Sequence, residues 1–554
     1  MLIRALSVAS VFLILSSSDV QAQKVKKADK AILTNLQAHI AYLADDKLEG
    51  RRAGSNGEKL AGEYISKQFA AAGLQPKGPD NNWFQPFEIN EGRQVNNATL
   101  FIINDNDLKL NTDYFPLAFS PNASVEAAVS TALAEKGVPW FADLKNMLED
   151  NKDNPHYDLE SAIKEKVSKA AAKGATALVL FNTSSIKDNL RFNGKDRSSG
   201  SPIPVLYLTP QAVKSYLHDE SGTYDVKIRV DIGNKTRTGQ NVIGYIDNGA
   251  PQTIVLGAHY DHLGFGEDGN SMAPNVKNQI HNGADDNASG TAALIELARL
   301  IKASKNKNNN YLFIAFSAEE LGLNGSKYFT QQPTIDIKSV NYMINMDMVG
   351  RLNDSSKTLT VGGYGTSPVW GEIFSSMSPK NNPLTFKFDS SGTGPSDHTS
   401  FYRMDVPVLF FFTGLHTDYH KPSDDFNKIN YNGELLVIKC IENIVTATNT
   451  KGKLAFAKTR ETQTSSSARF SVSLGIMPDY TFTGAGVRAD GVSDNRPAQK
   501  AGIKTGDVII QLGEHSISSM EAYMQALSRF KKGDSTTVKY KRGNDTLEAK
   551  VTFQ

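Results

Sequence analysis

The 554-residue sequence contains one cysteine, Cys440, and no long run of basic residues. A single thiol cannot form an internal disulfide, and it rules out a zinc site built from cysteine sulfurs. Proteins that bind nucleic acid cluster Lys and Arg side chains against the phosphates, whereas this chain has a formal net charge of only +1. We therefore expect no nucleic-acid partner.

No apolar run reaches the roughly 20 residues that a membrane-spanning helix needs. The first residues do include Arg4 and a mostly apolar stretch, Ala5–Leu15, followed by small residues at Val20 and Ala22. This pattern is typical of a secretory signal peptide, here residues 1–22. No cysteine follows it that could carry a lipid. We expect an exported protein, periplasmic or secreted, with no membrane anchor in the mature chain.

Length and a hydrophobic content of 40% indicate an ordinary globular chain of about three or four domains. Apolar strands alternate with helices over residues 239–450, the pattern of a doubly wound α/β sheet, and residues 23–114 are assigned to the same domain. Residues 115–238 carry no metal-binding or nucleophilic constellation and indicate an accessory insert. A linker rich in Lys, Thr and Ser, 451–469, leads to a small domain of short strands, 470–554.

Hydrophobic spacing predicts several individual elements. Gly73 is well placed to end the first clear helix. The predicted helices are Glu58–Ala72, Leu159–Lys173, Thr291–Lys302 and Met520–Phe530, and strands are predicted at Ala177–Phe181 and Ile203–Leu208.

Four apolar runs in the α/β domain each lead into side chains that can bind metal. Thr253–Ala258 leads to His259, Tyr311–Phe316 to Glu319 and Glu320, Val340–Met346 to Asp347, and Val406–Phe412 to His420. A loop that contains Asp285 and Asp286 lies between the first two runs. Ligands of open α/β sheets collect outside the carboxyl ends of the strands, so we expect these side chains to converge.

Imidazole and carboxylate together suit zinc or a similar metal, whereas an all-oxygen set would favour magnesium or calcium. Two metals about 3.5–4 Å apart can share one carboxylate and one water. Adjacent residues that leave a strand point in different directions, so one member of the Glu319–Glu320 pair is expected to bind metal and the other to accept a proton. Each piece is weak alone, but five pieces at successive strand ends predict a metal centre.

These segments resemble the co-catalytic di-zinc aminopeptidase family, which includes secreted bacterial leucyl-type aminopeptidases and the glutamate carboxypeptidases. The resemblance covers the α/β domain from end to end. The matching segments are Gly257–Gly264, Asn282–Gly290, Phe316–Gly322, Asn345–Gly350 and Asp418–Asp424.

The resemblance implies two zinc ions per chain and a role for each matching residue. The first zinc would take His259, Asp347 and one oxygen of Asp285, and the second would take Glu320, His420 and the other oxygen of Asp285. Glu319 would be the general base, Asp261 would orient His259, and Tyr419 would help to stabilise the oxyanion.

Two further details of the site follow from the same resemblance. It places a non-proline cis peptide at Asp285–Asp286, and Asp286 is the candidate for the bridge if Asp285 does not serve. His262, His398 and His416 are expected to support the site by hydrogen bonding rather than to bind metal.

The insert resembles a protease-associated domain, although the usual Gly-Lys-Ile strand ahead of it is missing. The C-terminal block resembles a PDZ domain, with Ser473–Ile476 as the carboxylate-binding loop and Pro497–Ile509 as its second matching segment. Such a loop can receive a peptide C-terminus or a strand.

The predicted function is removal of N-terminal residues from peptides that have a free N-terminus. A glutamate-type carboxypeptidase would need arginines for the C-terminal carboxylate, and the loops near the site, including Lys380–Gly394, show no arginine cluster. An acyltransferase of the glutaminyl-cyclase type works with one metal, whereas this chain has the residues for two. A receptor or scaffold protein without catalysis is disfavoured because the full set of site residues is present.

Overall fold

The structure is a computed structural model. It describes residues 27–154, 157–196, 200–218, 222–273, 278–377, 383–459, 472–478, 482, 484–492, 496–518, 520–527 and 529–553. The expected signal peptide, residues 1–22, lies outside the described residues, and so do residues 460–469 of the expected linker. Among the helices that are described, none combines the length and the apolar character needed to cross a membrane.

The elements are numbered along the described chain. The α-helices are α1 (Lys27–Leu43), α2 (Asn56–Ala71), α3 (Lys145–Glu149), α4 (Leu159–Ala172), α5 (Pro210–Tyr216), α6 (Gly290–Ala303), α7 (Asn324–Gln331), α8 (Val369–Ser376), α9 (His398–Tyr402), α10 (Tyr431–Thr448), α11 (Pro497–Lys500) and α12 (Met520–Leu527). The strands are β1 (Gln75–Pro76), β2 (Phe84–Val95), β3 (Leu100–Ile103), β4 (Asn106–Asp107), β5 (Tyr114–Pro116), β6 (Ala123–Ser130), β7 (Trp140–Asp143), β8 (Leu178–Phe181), β9 (Val205–Leu208), β10 (Thr223–Val230), β11 (Ile232–Ile246), β12 (Thr253–His259), β13 (Asn310–Phe316), β14 (Val340–Met346), β15 (Thr358–Gly362), β16 (Thr385–Phe388), β17 (Val408–Phe412), β18 (Ile476–Pro478), β19 (Val487–Val492), β20 (Val508–Leu512), β21 (His515–Ser516), β22 (Ser535–Arg542) and β23 (Asp545–Thr552).

The α/β domain is built on a mixed sheet in the order β1-β11-β13-β12-β14-β17-β15-β16, with β2 also paired to β11. Strands β12, β13, β14 and β17 run parallel to one another, and β11 and β15 join them antiparallel. Helices α1, α2, α6 and α10 pack on one face of this sheet, whereas α7 and α9 contribute Phe329 and Phe401 to the core on the other face. Because both faces are covered, every residue of β12, β13 and β14 is buried. The predicted α/β class is confirmed.

Local chemistry explains where the helices begin and end. The Ser55 hydroxyl caps α2 by accepting from the N–H of Glu58, and the Asn430 side chain caps α10 by accepting from the N–H of Gly433. Gly73 follows α2 with a φ of 82°, a left-handed conformation that glycine adopts without a steric penalty. The helix predicted over Glu58–Ala72 is therefore found within two residues of its expected bounds.

The insert lies between β2 and β11, two long antiparallel strands. It contains one sheet in the order β4-β3-β10-β6 and another in the order β5-β9-β8-β7. The expected boundary at residue 115 divides the first of these sheets, because β3 lies before that residue and its partner β10 lies after it. The other expected boundary, at residue 238, falls inside β11. We place the start of the insert before β3.

The C-terminal block forms its own sheet in the order β18-β19-β20-β22-β23, with β21 paired to β20. Helices α11 and α12 accompany it, and the block has a separate hydrophobic core that includes Leu474, Ile509 and Val538. The segment that precedes the block begins in contact with the α/β domain. Its Leu454 is buried in the main core, and its Thr459 receives a hydrogen bond from the N–H of Gly392.

Candidate metal centre

The carboxyl ends of four neighbouring parallel strands meet at one place. His259 is the last residue of β12, Glu319 and Glu320 follow β13, Asp347 follows β14, and the loop after β17 carries His420. A parallel sheet presents the carboxyl ends of its strands along one edge, and there the structure brings these five side chains together.

The first group of ligand atoms is centred on His259. Its Nε2 lies 3.3 Å from Asp347 Oδ1 and 3.4 Å from Asp286 Oδ1. The ligating atoms of these three residues all lie within 4.8 Å of one another. Glu319 stands at the edge of this group, with its Oε2 4.0 Å from the same imidazole nitrogen.

A second group lies on the other side of Asp286. His420 Nε2 is 3.2 Å from Glu320 Oε2 and 3.3 Å from Asp286 Oδ2. His420 Nδ1 lies 2.9 Å from the main-chain oxygen of Asn270, which can only accept, so Nε2 is the nitrogen free to bind metal. His262 also contacts this group, with its Nδ1 2.8 Å from Glu320 Oε1 and 4.0 Å from Asp286 Oδ1.

Asp286 is the carboxylate shared by the two groups. Asp285, which we expected in this position, points elsewhere. Its Oδ1 accepts from the N–H of Gly350 at 2.7 Å and from the Ser289 hydroxyl at 3.0 Å, and its Oδ2 lies 3.2 Å from His416 Nε2. The structure therefore corrects the expected bridging position by one residue.

The loop before α6 sets this register. The N–H groups of Asp285 and Asp286 both donate to Asp424 Oδ2, at 2.9 and 3.0 Å. Gly283 has a φ of 55°, and a Cβ there would lie 2.1 Å from the main-chain oxygen of Asp286, so only glycine fits. The cis peptide lies at Asp286–Asn287, and its expected placement at Asp285–Asp286 was wrong.

Asp261 supports two members of the site. His259 Nδ1 lies 3.2 Å from the main-chain oxygen of Asp261, while the carboxylate of Asp261 accepts from the N–H of Glu319 at 3.1 Å. This arrangement turns His259 Nε2 toward the first group. Tyr419 stacks on the ring of His420, with centroids 3.9 Å apart.

The pKa values of the two adjacent glutamates are shifted in opposite directions. Burial raises the pKa of Glu319 well above its ordinary value, against the opposing charge of His259. Burial also acts to raise the pKa of Glu320, but the His420 imidazole and hydrogen bonds from neighbouring histidines outweigh it, and the pKa falls well below the ordinary value. Glu320 is thus suited to remain an anionic ligand, whereas Glu319 is suited to accept a proton.

Arg51 is a buried residue near the site that was assigned no role from the sequence. Arg51 lies in a glycine-rich stretch, where a charged residue is normally exposed, yet it is 1% exposed. Asp397 is also buried, and burial raises its pKa to about 7. His398 stacks on Phe410 with centroids 4.5 Å apart, which assigns its ring to packing. No periodicity or motif in the sequence distinguishes Arg51 from an ordinary loop residue, whereas His398 was expected to support the site by hydrogen bonding and is found stacked on Phe410 instead.

The donor set fits zinc. His259, Asp286 and Glu320 are buried or nearly so, and carboxylates crowded together with imidazoles out of water require an opposite charge between them. Mixed imidazole and carboxylate ligands suit a borderline divalent ion better than calcium or magnesium.

Comparison with known families agrees with this class of site. Residues 241–445 match the model of Peptidase family M28, and residues 463–553 match that of the PDZ domain. The chain thus has a region that matches peptidase family M28, followed by one that matches the PDZ domain, which confirms the resemblance seen in the sequence.

Named relatives include Aminopeptidase YwaD of Bacillus subtilis (strain 168), 27% identical over 281 residues, which are 48% of this chain and 55% of the relative. A probable leucine aminopeptidase of Arthroderma otae (strain ATCC MYA-4605 / CBS 113480) is 28% identical over 202 residues, 35% of this chain and 52% of the relative. The chain spans about half the length of these two relatives. Among solved structures, an aminopeptidase from Aneurinibacillus sp. strain AM-1 aligns with a TM-score of 0.40 and 23% identity, covering 78% of this chain and 97% of that one.

Proposed function

We propose that this protein is a metal-dependent aminopeptidase that removes N-terminal residues from peptides with the help of two zinc ions. One observation carries the proposal: the two oxygens of Asp286 face two separate groups, at 3.4 Å from His259 and 3.3 Å from His420. The first zinc would be held by His259, Asp286 and Asp347, and the second by Asp286, Glu320 and His420. The peptidase family M28 domain and the names of the relatives support the same activity.

Each nearby residue has a chemical task in this proposal. Zinc bound in the centre would supply Lewis acidity and lower the pKa of water. Glu319 accepts the proton of the attacking water on its carboxylate and later gives it to the leaving amine. Asp261 keeps Glu319 and His259 in place through the two contacts described above. Tyr419, beside His420, offers a hydroxyl to the developing oxyanion.

The free N-terminal amine of the substrate explains the expected direction of cleavage. Glu319, Glu320 and Asp347 surround the centre, and we infer that their carboxylate oxygens not bound to zinc are available to a protonated amine. An ammonium group gains charge-assisted hydrogen bonds there, whereas an acetylated nitrogen leaves acceptors unpaired. We infer that substrates are peptides with a free N-terminus.

The remaining parts of the chain are assigned accessory roles. We propose that the PDZ domain receives a peptide C-terminus or strand along Ser473–Ile476, and that the insert is a protease-associated-like domain beside the catalytic domain. Export after removal of residues 1–22 would place the enzyme where extracellular or periplasmic peptides are available.

A matched set of three peptides tests the function: one with free ends, one N-acetylated and one C-amidated. We expect the free and amidated peptides to be shortened from the N-terminus and the acetylated peptide to react roughly tenfold to several hundredfold more slowly. Glu319→Gln is the control, and it should bind zinc normally while losing about 10²–10⁴-fold in turnover.

The opposite pattern would identify a glutamate-type carboxypeptidase. Rapid cleavage of the acetylated peptide together with resistance of the amidated one would overturn the aminopeptidase assignment and leave the metal centre intact. Equal activity of the wild type and Glu319→Gln would show that Glu319 is not the general base. Zinc binding without hydrolysis of any of the three peptides would favour a non-catalytic role.

A further inference from the structure

Arg51 is a buried arginine whose side chain joins three separate segments of the catalytic domain. Its Nε donates to the main-chain oxygen of Tyr260 at 2.8 Å. One terminal nitrogen donates to the main-chain oxygens of Leu43 and Asn282, the latter at 2.6 Å, and the other donates to that of Gly283 at 3.0 Å. The guanidinium thus donates to four carbonyl groups, of which that of Gly283 also accepts from the N–H of Ala288.

The backbone around Arg51 holds the same region. The main-chain oxygen of Arg51 accepts from the N–H of His262 at 3.1 Å, and that of Gly50 accepts from the N–H of Gly264 at 3.0 Å. Arg51 itself has a φ of 47°, an uncommon left-handed conformation for a residue with a side chain. This conformation lets one residue contact the loop after β12 with its main chain and the loop before α6 with its side chain.

The charge of Arg51 also interacts with carboxylates of the candidate metal centre. All of its hydrogen bonds go to carbonyl groups, and the carboxylates whose charges act on it include Asp261 and Asp286. Burial lowers the pKa of Arg51 to about 10, so the side chain is still a cation at neutral pH. A lysine would retain the charge but could not reproduce a planar fork that reaches three segments at once.

We propose that Arg51 is a positioning residue for the metal centre: its fork fixes the spacing between the end of β12, which carries His259, and the loop that carries Asp286. Tyr260 is the neighbour of His259, and Gly283 lies three residues before Asp286, so both anchor points are close to the ligands in the chain. This inference rests on the proposed two-zinc centre.

The test compares zinc binding by the full-length wild type, Arg51→Lys and Leu36→Ala. Leu36 is fully buried on α1 and takes part in none of the hydrogen bonds of the fork, so its truncation lowers stability while every donor and acceptor of the fork is kept. Each protein is stripped of metal, its folding is checked by circular dichroism and thermal unfolding, and its zinc affinity is measured by competition with a chelator. We expect Arg51→Lys to bind both zinc ions about 10–100-fold more weakly, and Leu36→Ala to bind them as the wild type does.

Each outcome of this comparison either supports or overturns the role proposed for Arg51. A folded Arg51→Lys with wild-type zinc affinity overturns the inference, and so does an equal loss of affinity in Leu36→Ala, which would make the effect one of general stability. If Arg51→Lys does not fold, Arg51→Met is measured in the same way, since this variant also removes the buried charge. Failure of both variants to fold would assign Arg51 to the fold rather than to the centre, against the proposal.

Failure of the proposed function gives a different result, because zinc binding is measured without peptide. A wild type that binds fewer than two zinc ions would refute the two-metal centre itself. A wild type that binds two zinc ions but does not shorten peptides would refute the aminopeptidase function and leave the comparison at Arg51 valid.

Discussion

Asp285 and Asp286 show how far residue types can locate a site. Both are acidic, adjacent and buried, and both lie in the segment that resembles the peptidase family. Which one faces the metals depends on the path of the loop, which Gly283 and Asp424 determine through contacts distant in sequence. A sequence without its fold cannot reveal these contacts, so the aspartate pair was predictable and the choice between its members was not.

The first prediction separates the two aspartates. Asp286→Asn should lose most of the zinc from both positions, because a shared carboxylate contributes to each. Asp285→Asn should keep close to two equivalents, since its side chain contacts Ser289, Gly350 and His416 instead. Metal analysis of the purified proteins gives the answer, and two equivalents of zinc in Asp286→Asn would show that Asp286 does not bridge.

Glu58 should make the stability of the protein depend on pH. It is 2% exposed, and burial raises its pKa from 4.5 to about 7 despite hydrogen bonds from Ser317 and the N–H of Gly54. Between about pH 4.5 and 7 the folded state therefore keeps a proton that the unfolded state releases, so stability falls as the pH rises through this window. At about 1.4 kcal/mol per pKa unit, the free energy of unfolding above pH 7 is lower by roughly 3 kcal/mol than below pH 4.5.

Glu58→Gln is the variant that tests this expectation, because it keeps the shape but cannot ionise. Urea unfolding of the metal-free proteins at several pH values should show a wild-type minus variant difference that becomes less favourable from pH 4.5 to 7 and then levels off. Other groups titrate in both proteins and cancel in the difference. A difference that is independent of pH would mean that Glu58 keeps an ordinary pKa in the folded state.

At the scale of elements, buried strands were the most predictable. The run Val340–Met346 is β14 to the residue, and the other strands that lead to site residues were placed within two residues of their ends. These strands are covered on both faces, so they are continuously apolar and stand out in the sequence. Because the ends of these strands were predicted, the position of the site at their carboxyl ends could be predicted as well.

Strands β2 and β11 were not predicted, and the expected boundary at residue 238 fell inside β11. The first half of β11 is polar and largely exposed, so it has no hydrophobic run to mark it. Its partner β2 lies more than a hundred residues earlier in the chain, and pairing at such a distance leaves no local signal. The limits of the insert were therefore less predictable than its internal strands.

At the scale of the whole molecule, composition and turn-forming residues predicted how the chain is divided into blocks. The first part of the expected linker, 451–469, packs against the α/β domain instead of connecting two domains. Leu454 is 4% exposed, Phe456 packs against Tyr402 with ring centroids 5.5 Å apart, and the N–H of Thr459 donates to the Tyr402 hydroxyl at 3.0 Å. Because of these contacts, we assign residues 451–459 to the α/β domain. The composition of the segment, rich in Lys and Thr, did not predict them.

The last prediction concerns where the chain can be cut. A protein that ends after Thr459 should fold, bind zinc and hydrolyse short peptides as the full chain does, because all the proposed ligands and the contacts of residues 451–459 are retained. A protein that ends after Lys453 loses the burial of Leu454, which alone stabilises by about 1.5–3 kcal/mol, together with the contacts of Phe456 and Thr459. Its melting temperature should be lower by several degrees. Thermal unfolding and zinc content of both proteins test this: equal melting temperatures would return 454–459 to the linker, whereas failure of the longer protein to fold would mean that the catalytic domain needs the PDZ domain.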